Sequence, residues 1–312
     1  MLETDYAVAM IFRRLVAGRV VPFLGAGASL GRRPAAAGSE LGSYVPSAGE
    51  LAHYLAEEFF YEGHDEGNLH AVAEYIETMD GRAPLYEALR GVFAADYQPT
   101  ALHRFFARFP SLLRGKGMRP NYLLLVTTNF DDLLERAFEE VAEPFDLIWY
   151  VADGEQRGRF LHRPADGSTP RLIDPPSRYA GVSLAERTVI LKLHGSVHRE
   201  DPELDSFAIT QEHYIEYLTT DVWDMFPPVL AAEMQSRSYL FLGYSLADWN
   251  LIVTLRRMGA MEAATSWAIQ LDPDEVQTRR WERRGVAVLG MDVEDLASRL
   301  TETAEALAPP GH

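Results

Sequence analysis

Four short clusters of chemically capable residues each follow directly on an apolar run, and their types set the range of chemistry open to the chain. Val20-Val21-Pro22-Phe23-Leu24 ends in Gly25-Ala26-Gly27-Ala28-Ser29, and Tyr122–Val126 ends in Thr127-Thr128-Asn129-Phe130-Asp131-Asp132. Thr188–Leu193 ends in His194-Gly195-Ser196, and Tyr239–Leu242 ends in Gly243-Tyr244-Ser245. Gly25 and Gly27 let backbone N–H groups approach a pyrophosphate, and Ser29 can add a hydroxyl. Asn129 and Asp131 supply an amide and a carboxylate, and His194 a base that works near neutral pH. Each feature also has a plainer reading. Gly-x-Gly makes a tight turn, Asn is common at strand-to-helix turns, Asp131 can cap a helix, and His194 can bond a carbonyl. One such ending says little; four, with a His and an Asn among them, point to one shared site.

The elements around these clusters explain how they could meet. Short apolar runs ending in turn residues read as buried strands, at 20–24, 122–126, 188–193 and 239–243. Further strands are expected at 145–151, 266–271 and 286–290. Ser47-Ala48-Gly49-Glu50 reads as a capping box opening a helix to about residue 60. Helical spacing then continues from Asn68 to Leu113, so a mostly helical block, about 47–118, is inserted between two strands. Helices are also expected after Asp131 or Asp132, near 211–236, and at 248–258, 274–283 and 292–307. Residues 31–46 read as a loop rich in small residues, and 152–187 as an irregular excursion. Alternating strands and helices make the fold class α/β: a Rossmann-like doubly wound parallel sheet with the helical block inserted, read as one domain over 1–312. In such a sheet, ligands bind beyond the carboxyl ends of the strands, where all four clusters lie.

Composition removes several alternatives. The 312 residues are 47% hydrophobic and 24% charged, as in ordinary folded proteins. The net charge of −17 repels phosphate backbones, so no direct nucleic-acid partner is expected. No run reaches the roughly 18 apolar residues of a membrane span, and the acidic N-terminus carries no signal pattern, so a cytoplasmic location is expected. With no cysteine, disulfides, thiolate catalysis and cysteine-ligated zinc are excluded. The histidines have no zinc-type spacing, so no metal is expected. Apart from His194, they read as surface or packing residues, with His198 the one to watch. Leu30 stands where a dinucleotide fingerprint needs its third glycine, and no strand about 20 residues on carries a ribose-binding acid, which disfavours an ordinary dehydrogenase.

Taken in order, Gly25-Ala26-Gly27-Ala28-Ser29, Thr128-Asn129-Phe130-Asp131, Leu193-His194-Gly195 and Gly243-Tyr244-Ser245-Leu246 resemble the NAD-binding motifs of sirtuins. The closer likeness is to the bacterial sirtuin-like branch of antiphage defence proteins. It extends to Val45-Pro46-Ser47, Thr127-Thr128-Asn129-Phe130-Asp131-Asp132, Lys192-Leu193-His194-Gly195 and Gly243-Tyr244-Ser245-Leu246 with Asp248, and covers roughly residues 15–290. The resemblance implies NAD as substrate. Gly25, Ala26, Gly27 and Ser29 would hold the pyrophosphate. Thr128 and Asn129 would sit at the nicotinamide ribose, and Asp131 would accept from the nicotinamide amide. His194 would be the base near the ribose hydroxyls, and Gly243 and Ser245 would lie by the adenosine ribose. Nicotinamide leaves readily, so the transition state is oxocarbenium-like and asks mainly for positioning and a base.

The departures carry as much. Sirtuin deacylases share a four-cysteine zinc module that this chain cannot build. Thr128 replaces the sirtuin glutamine, and the stretch Pro-Asp-Phe-Arg is missing. In the branch lacking these features the resemblance implies hydrolysis of NAD to nicotinamide and ADP-ribose, as an NAD-depleting defence effector. The alternatives are transfer of ADP-ribose or an acyl group, and non-catalytic NAD or ADP-ribose binding in an assembly. Control is expected from self-assembly, from a ligand, or from a partner encoded nearby, such as a HerA-type ATPase or a short argonaute. A homo-oligomer is expected; the aromatic set Trp223, Phe226 and Trp249 reads as core or subunit interface, with Trp223 and Phe226 the candidates for burial between subunits. The 31–46 loop and the helical block that follows it are expected to fold over the nicotinamide end; Arg32 and Arg33 read as solvated loop residues, with a phosphate clamp as the alternative.

Overall fold

The computed structural model describes residues 2–31, 42, 44–213, 215, 225–245 and 266–307. Its centre is a nine-stranded sheet. The parallel strands are β1 (Val20–Leu24), β2 (Leu124–Thr127), β3 (Phe145–Val151) and β6 (Thr188–Lys192), with β9 (Ser238–Leu242), β10 (Ser266–Gln270) and β11 (Val286–Gly290). Beyond β3 lie the antiparallel β4 (Arg159–Arg163) and β5 (Arg171–Leu172), and the full order is β11-β10-β9-β1-β2-β6-β3-β4-β5. β1 sits in the middle, and the chain leaves it toward β2 on one side and β9 on the other. That reversal is the crevice where sheets of this type bind ligands.

The strands read as unbroken apolar runs because both faces are covered. Val21 and Phe23 enter one core with Val126, Leu191 and Phe241. Val20 and Leu24 enter the opposite core with Leu125, Ile190 and Leu240. The second face is covered by α1 (Leu2–Val16), α6 (Ala101–Gly115), α7 (Leu133–Glu140) and the C-terminal helix Val293–Ala306. On the first face Met234 of the helix Pro228–Ser236 and Trp281 of the helix Glu275–Glu282 are buried.

The inserted block has a core of its own. α3 (Ala48–Glu58), α4 (Leu69–Met79) and α5 (Arg82–Phe93) pack around Leu55, Val72, Ile76 and Leu89. This core also takes in Phe130, Leu133 and Phe207, so the block sits on the loops at the strand ends. Ser47 and Glu50 form the expected capping box at the start of α3. Helical spacing assigns α6 to the block, but its Phe105, Phe106 and Phe109 pack on the sheet.

Other features depart from the sequence reading. α1 is not among the expected helices; its Val8, Ile11, Phe12 and Leu15 complete the second core. The 152–187 excursion contains β4 and β5, paired back onto β3. A small antiparallel pair, β7 (Gly195–Ser196) and β8 (Ser206–Phe207), follows His194. Phe226, expected in the core or at a subunit interface, is 2% exposed and packs on Phe160 at 5.0 Å between centroids, so of the two it belongs to the core. Of the expected loop 31–46, residues 32–41 and 43, Arg32 and Arg33 among them, lie outside the described residues, as do the expected helix 248–258 and Trp223, Asp248 and Trp249.

Candidate active site

The turns after β1 and β9 touch backbone to backbone. Gly25 N–H donates to Leu242 O and Gly27 N–H to Gly243 O, each at 2.9 Å. A Cβ at Gly27 would lie 2.7 Å from Gly243 Cα, and one at Gly243, where φ is +71°, would lie 2.2 Å from Ala28 N. The glycines therefore allow two strand-end turns to interlock. This revises the expected use of the first motif. The N–H groups of Gly25, Gly27, Ala28 and Ser29 are all bonded within the protein. Of residues 25–29 it is Ala26 that lines the adjoining cavity.

The β2 end is fixed through the same junction. Thr127 Oγ1 donates to Leu24 O at 2.9 Å and accepts from Asn129 N–H at 3.0 Å. Tyr244 O–H donates to Leu24 O at 3.0 Å and so accepts from Thr128 Oγ1 at 2.8 Å. Asn129 Nδ2 donates to Gly25 O and to Ser29 Oγ, both at 3.0 Å. With both amide hydrogens held by the turn after β1, Oδ1 is the acceptor that Asn129 can offer. Ser29, 5% exposed, also bonds Asp131, so its hydroxyl orients the neighbouring loop and is not aimed at a phosphate.

Asp131 takes the anticipated place at the start of α7 and stands on the cavity wall. Its Oδ1 accepts from Leu133 N–H at 3.2 Å, closing the first turn of α7. Burial raises its carboxyl above the usual range, against the pull of Lys192. Lys192, fully buried at the end of β6, donates to Phe130 O at 3.3 Å, Asp131 O at 2.5 Å and Glu135 Oε1 at 2.8 Å. One ammonium thus ties the β2 loop to β6 and to α7, a role that no sequence motif revealed.

His194 is 9% exposed and lines the cavity. Burial, and then the nearby His70, push its imidazole down to about 3, so it is neutral at ordinary pH. Gly195 follows with φ at +101°, and a Cβ there would meet Ser206 O at 2.0 Å. The glycine of the His-Gly pair is thus demanded by β7–β8 pairing. His198 does not reach the cavity; its ring lies 4.3 Å from that of Trp149.

These residues meet at a cavity of about 580 Å³, within the usual range for small-molecule sites of about 300–1,000 Å³. Ala26, Thr128, Asn129, Asp131, His194, Gly243 and Ser245 line it; Gly25, Gly27 and Ser29 form the layer behind. The opposite wall comes from the helical block and from Ile209, which follows β8. Asp65, Asn68, His70 and Phe93 belong to that wall, and sequence reasoning did not single them out as site residues. The one signal among them is Asn68, whose type suits a helix N-cap; nothing in a lone histidine at the second position of α4 marks the cavity.

A second polar cluster, Glu77, Asp153 and His213, could offer ligand atoms within 4.8 Å of one another. Asp153 is already engaged there: Oδ1 accepts from Arg82 at 2.8 Å and faces His213 Nε2 at 3.5 Å, and Oδ2 accepts from Tyr86. An arginine on the central carboxylate disfavours a cation, and none of the three lines the cavity.

The family model described as SIR2-like domain matches residues 123–289, more than half of the chain. The chain belongs to the SIR2-like family. The matched region contains the Asn129 and His194 strand ends. Among curated relatives, the SIR2-like chain is 24% identical to the NAD(+) hydrolase ThsA of Enterococcus faecium over 75% of its length and 38% of the relative's. It is 25% identical to the protein of that name from Acinetobacter baumannii over 67% of its length and 35% of the relative's. The Bacillus cereus protein is 23% identical over 72% of this chain and 39% of its own. The SIR2-like chain thus spans little more than a third of each of these relatives. Among the described residues, no helix is long and apolar enough to cross a membrane.

Proposed function

We propose that this protein is an NAD glycohydrolase, cleaving the nicotinamide–ribose bond to give nicotinamide and ADP-ribose. The observation that carries the reading is the single cavity at the reversal of strand order, where Asn129, Asp131 and His194 converge under the helical block. The relatives' printed name, NAD(+) hydrolase, supports it.

As the glycosidic bond breaks, its electron pair leaves with neutral nicotinamide and positive charge develops on the ribosyl ring. Asn129 Oδ1 is an oriented acceptor suited to hold the ribose or the attacking water. His194, kept neutral, presents an imidazole without placing a cation beside the developing oxocarbenium. Asp131, its carboxyl raised by burial, suits an amide of the leaving base. Gly243 and Ser245 face the adenosine end, and Ala26 adjoins the pyrophosphate. No step draws on a metal, and turnover in the presence of EDTA is expected to equal turnover without it.

Incubating the pure chain with NAD and resolving products by chromatography tests the proposal. Equimolar nicotinamide and ADP-ribose are expected. Nicotinamide released with ADP-ribose left on protein would favour the transferase reading; NAD bound but intact would favour an assembly protein. We further infer an NAD-depleting role in antiphage defence, in the cytoplasm. There the protein would work as a homo-oligomer, held inactive by assembly or by a partner such as a HerA-type ATPase or a short argonaute. The acidic chain suits sensing nucleic acid through such a partner. Light scattering and turnover assays with the neighbouring gene product would test this, and a monomer fully active alone would overturn it.

A further inference from the structure

The cavity holds two imidazoles, His194 at the end of β6 and His70 on α4. His70 is placed by a built turn. Asn68 Oδ1 accepts from Ala71 N–H at 3.3 Å, and Asn68 Nδ2 donates to Asp65 Oδ2 at 3.1 Å, fixing the start of α4 two residues before His70. The ring is fixed too. His70 Nδ1 lies 2.7 Å from Ile209 O, and since a carbonyl only accepts, Nδ1 carries a hydrogen. In the neutral ring Nε2 is then the basic nitrogen. Ile209 also lines the cavity, so this bond joins two of its wall segments across the top of the site.

We propose that His70 is the proton acceptor of the hydrolytic step, with His194 and Asn129 orienting the reacting groups. The inference rests on the NAD glycohydrolase reading. A water oxygen bonds to the ribosyl carbon as the bond to nicotinamide breaks, and the electron pair of that bond leaves with nicotinamide. The water gives up one proton to His70 Nε2, and the resulting imidazolium returns it to solvent. The sum is NAD with water giving ADP-ribose, nicotinamide and one proton.

Burial sorts the two rings. His194 is nearly enclosed, and a charge there is opposed both by burial and by His70. His70 is half-buried at the junction of block and sheet, where a proton can pass to water. The charged and titratable neighbours come from three sides. Asp65 lines the cavity from the block itself, and Glu74 lies one turn along α4 with its carboxylate on Glu212 N–H at 3.3 Å. Asp131 and His194 face the cavity from the strand ends. Glu212 and His213 lie on the segment after Ile209.

The test compares His70→Asn with His70→Ala in the full chain. Asparagine can keep a donor to Ile209 O but has no titratable nitrogen, so it separates a structural bond from proton transfer. Both variants should lower kcat by about 10²–10⁴-fold with KM within a few-fold. Added imidazole should restore part of the His70→Ala rate but not that of a variant lacking Asn129. His70→Asn turning over like wild type while His70→Ala does not would reduce His70 to a brace and overturn the inference alone. A wild-type chain that releases no nicotinamide would overturn the glycohydrolase reading and this inference with it.

Discussion

At the scale of single residues, the site depends on side chains whose hydrogen bonds are made before any ligand arrives. Asn129 has both amide hydrogens on acceptors in the turn after β1, so Asn129→Ala should remove a positioned Oδ1 without opening the core. Asn129→Ala and His194→Ala are each expected to lower NAD turnover by about 10²–10⁴-fold while the melting temperature stays close to wild type. A well-folded variant with near wild-type turnover would remove that residue from the site. Burial also makes a pH prediction. His103, His194 and His198 are all pushed down from 6.5 to about 3, chiefly by desolvation. A histidine lowered on folding binds fewer protons in the native state, so stability is complete above its unfolded value and is lost as pH falls below about 6.5. Each would cost on the order of 2 kcal/mol at pH 5. Asp131 and Glu135, raised by burial, act in the opposite direction, because they gain protons more readily in the fold. Comparison with one ring removed isolates the histidine contribution: the urea midpoint of wild type should lose more between pH 7 and pH 5 than that of His103→Gln. Equal losses in the two proteins would contradict the assignment of His103 as a neutral, buried ring.

At the scale of elements, the loop carrying Asn129 and Asp131 is held from below by Lys192. Lys192→Met would leave Glu135 buried without its cation, a defect of about 3–5 kcal/mol by analogy with other broken buried pairs. Lys192→Met with Glu135→Leu should recover most of that stability, since an apolar pair can replace a buried ion pair. It should not recover activity, because the bonds to Phe130 O and Asp131 O are gone. A double variant with full turnover would show that the clamp serves stability alone. These contacts also mark what the sequence could disclose. The four strand ends are legible because an apolar run that stops abruptly at Gly, Asn or His marks a buried strand meeting a turn. Asn129, Asp131, His194 and Ser245 accordingly lie at the cavity they were expected to share. The role of Gly25 and Gly27 is ambiguous in the sequence because a close loop-to-loop approach and a phosphate approach ask for the same residue. Lys192 and His70 escape sequence reasoning because their partners are distant along the chain: the acceptor of His70 lies 139 residues away. α1 carries the signals of a helix in the sequence, a regular apolar face, arginines in its last turn and Gly18 (φ +60°) after its end, and escapes notice because it bears no motif.

At the scale of the whole molecule, the cavity lies between bodies with separate cores. Asn129 and His194 stand on the sheet, while Asp65, His70 and Phe93 come from the block around Leu55, Val72 and Leu89. Besides shared apolar contacts, two arginines latch these bodies together. Arg90 on α5 donates to His198 O at 2.9 Å, Arg199 O at 2.7 Å and Asp205 Oδ2 at 2.7 Å. Arg199 in turn donates to Ala95 O at 2.8 Å, and to Asp132 Oδ1 at the start of α7 at 3.0 Å. Neither arginine lines the cavity, so their effect on a ligand passes through the spacing of its walls. If the binding-competent arrangement is populated only in part, the apparent affinity falls by that fraction while the chemistry of the occupied site is unchanged. Arg90→Ala is therefore expected to raise KM for NAD several-fold and to change kcat far less. Hydrogen exchange should report the same event. ADP-ribose at about 100 times its dissociation constant stabilises the bound form by about 2.7 kcal/mol, and that protection should reach α4, α5 and the strand-end loops together. In Arg90→Ala, the unliganded block should exchange faster than in wild type, and ligand should close most of the difference. Protection confined to the strand-end loops, with α4 and α5 exchanging alike in both states, would mean that the block does not enclose the ligand.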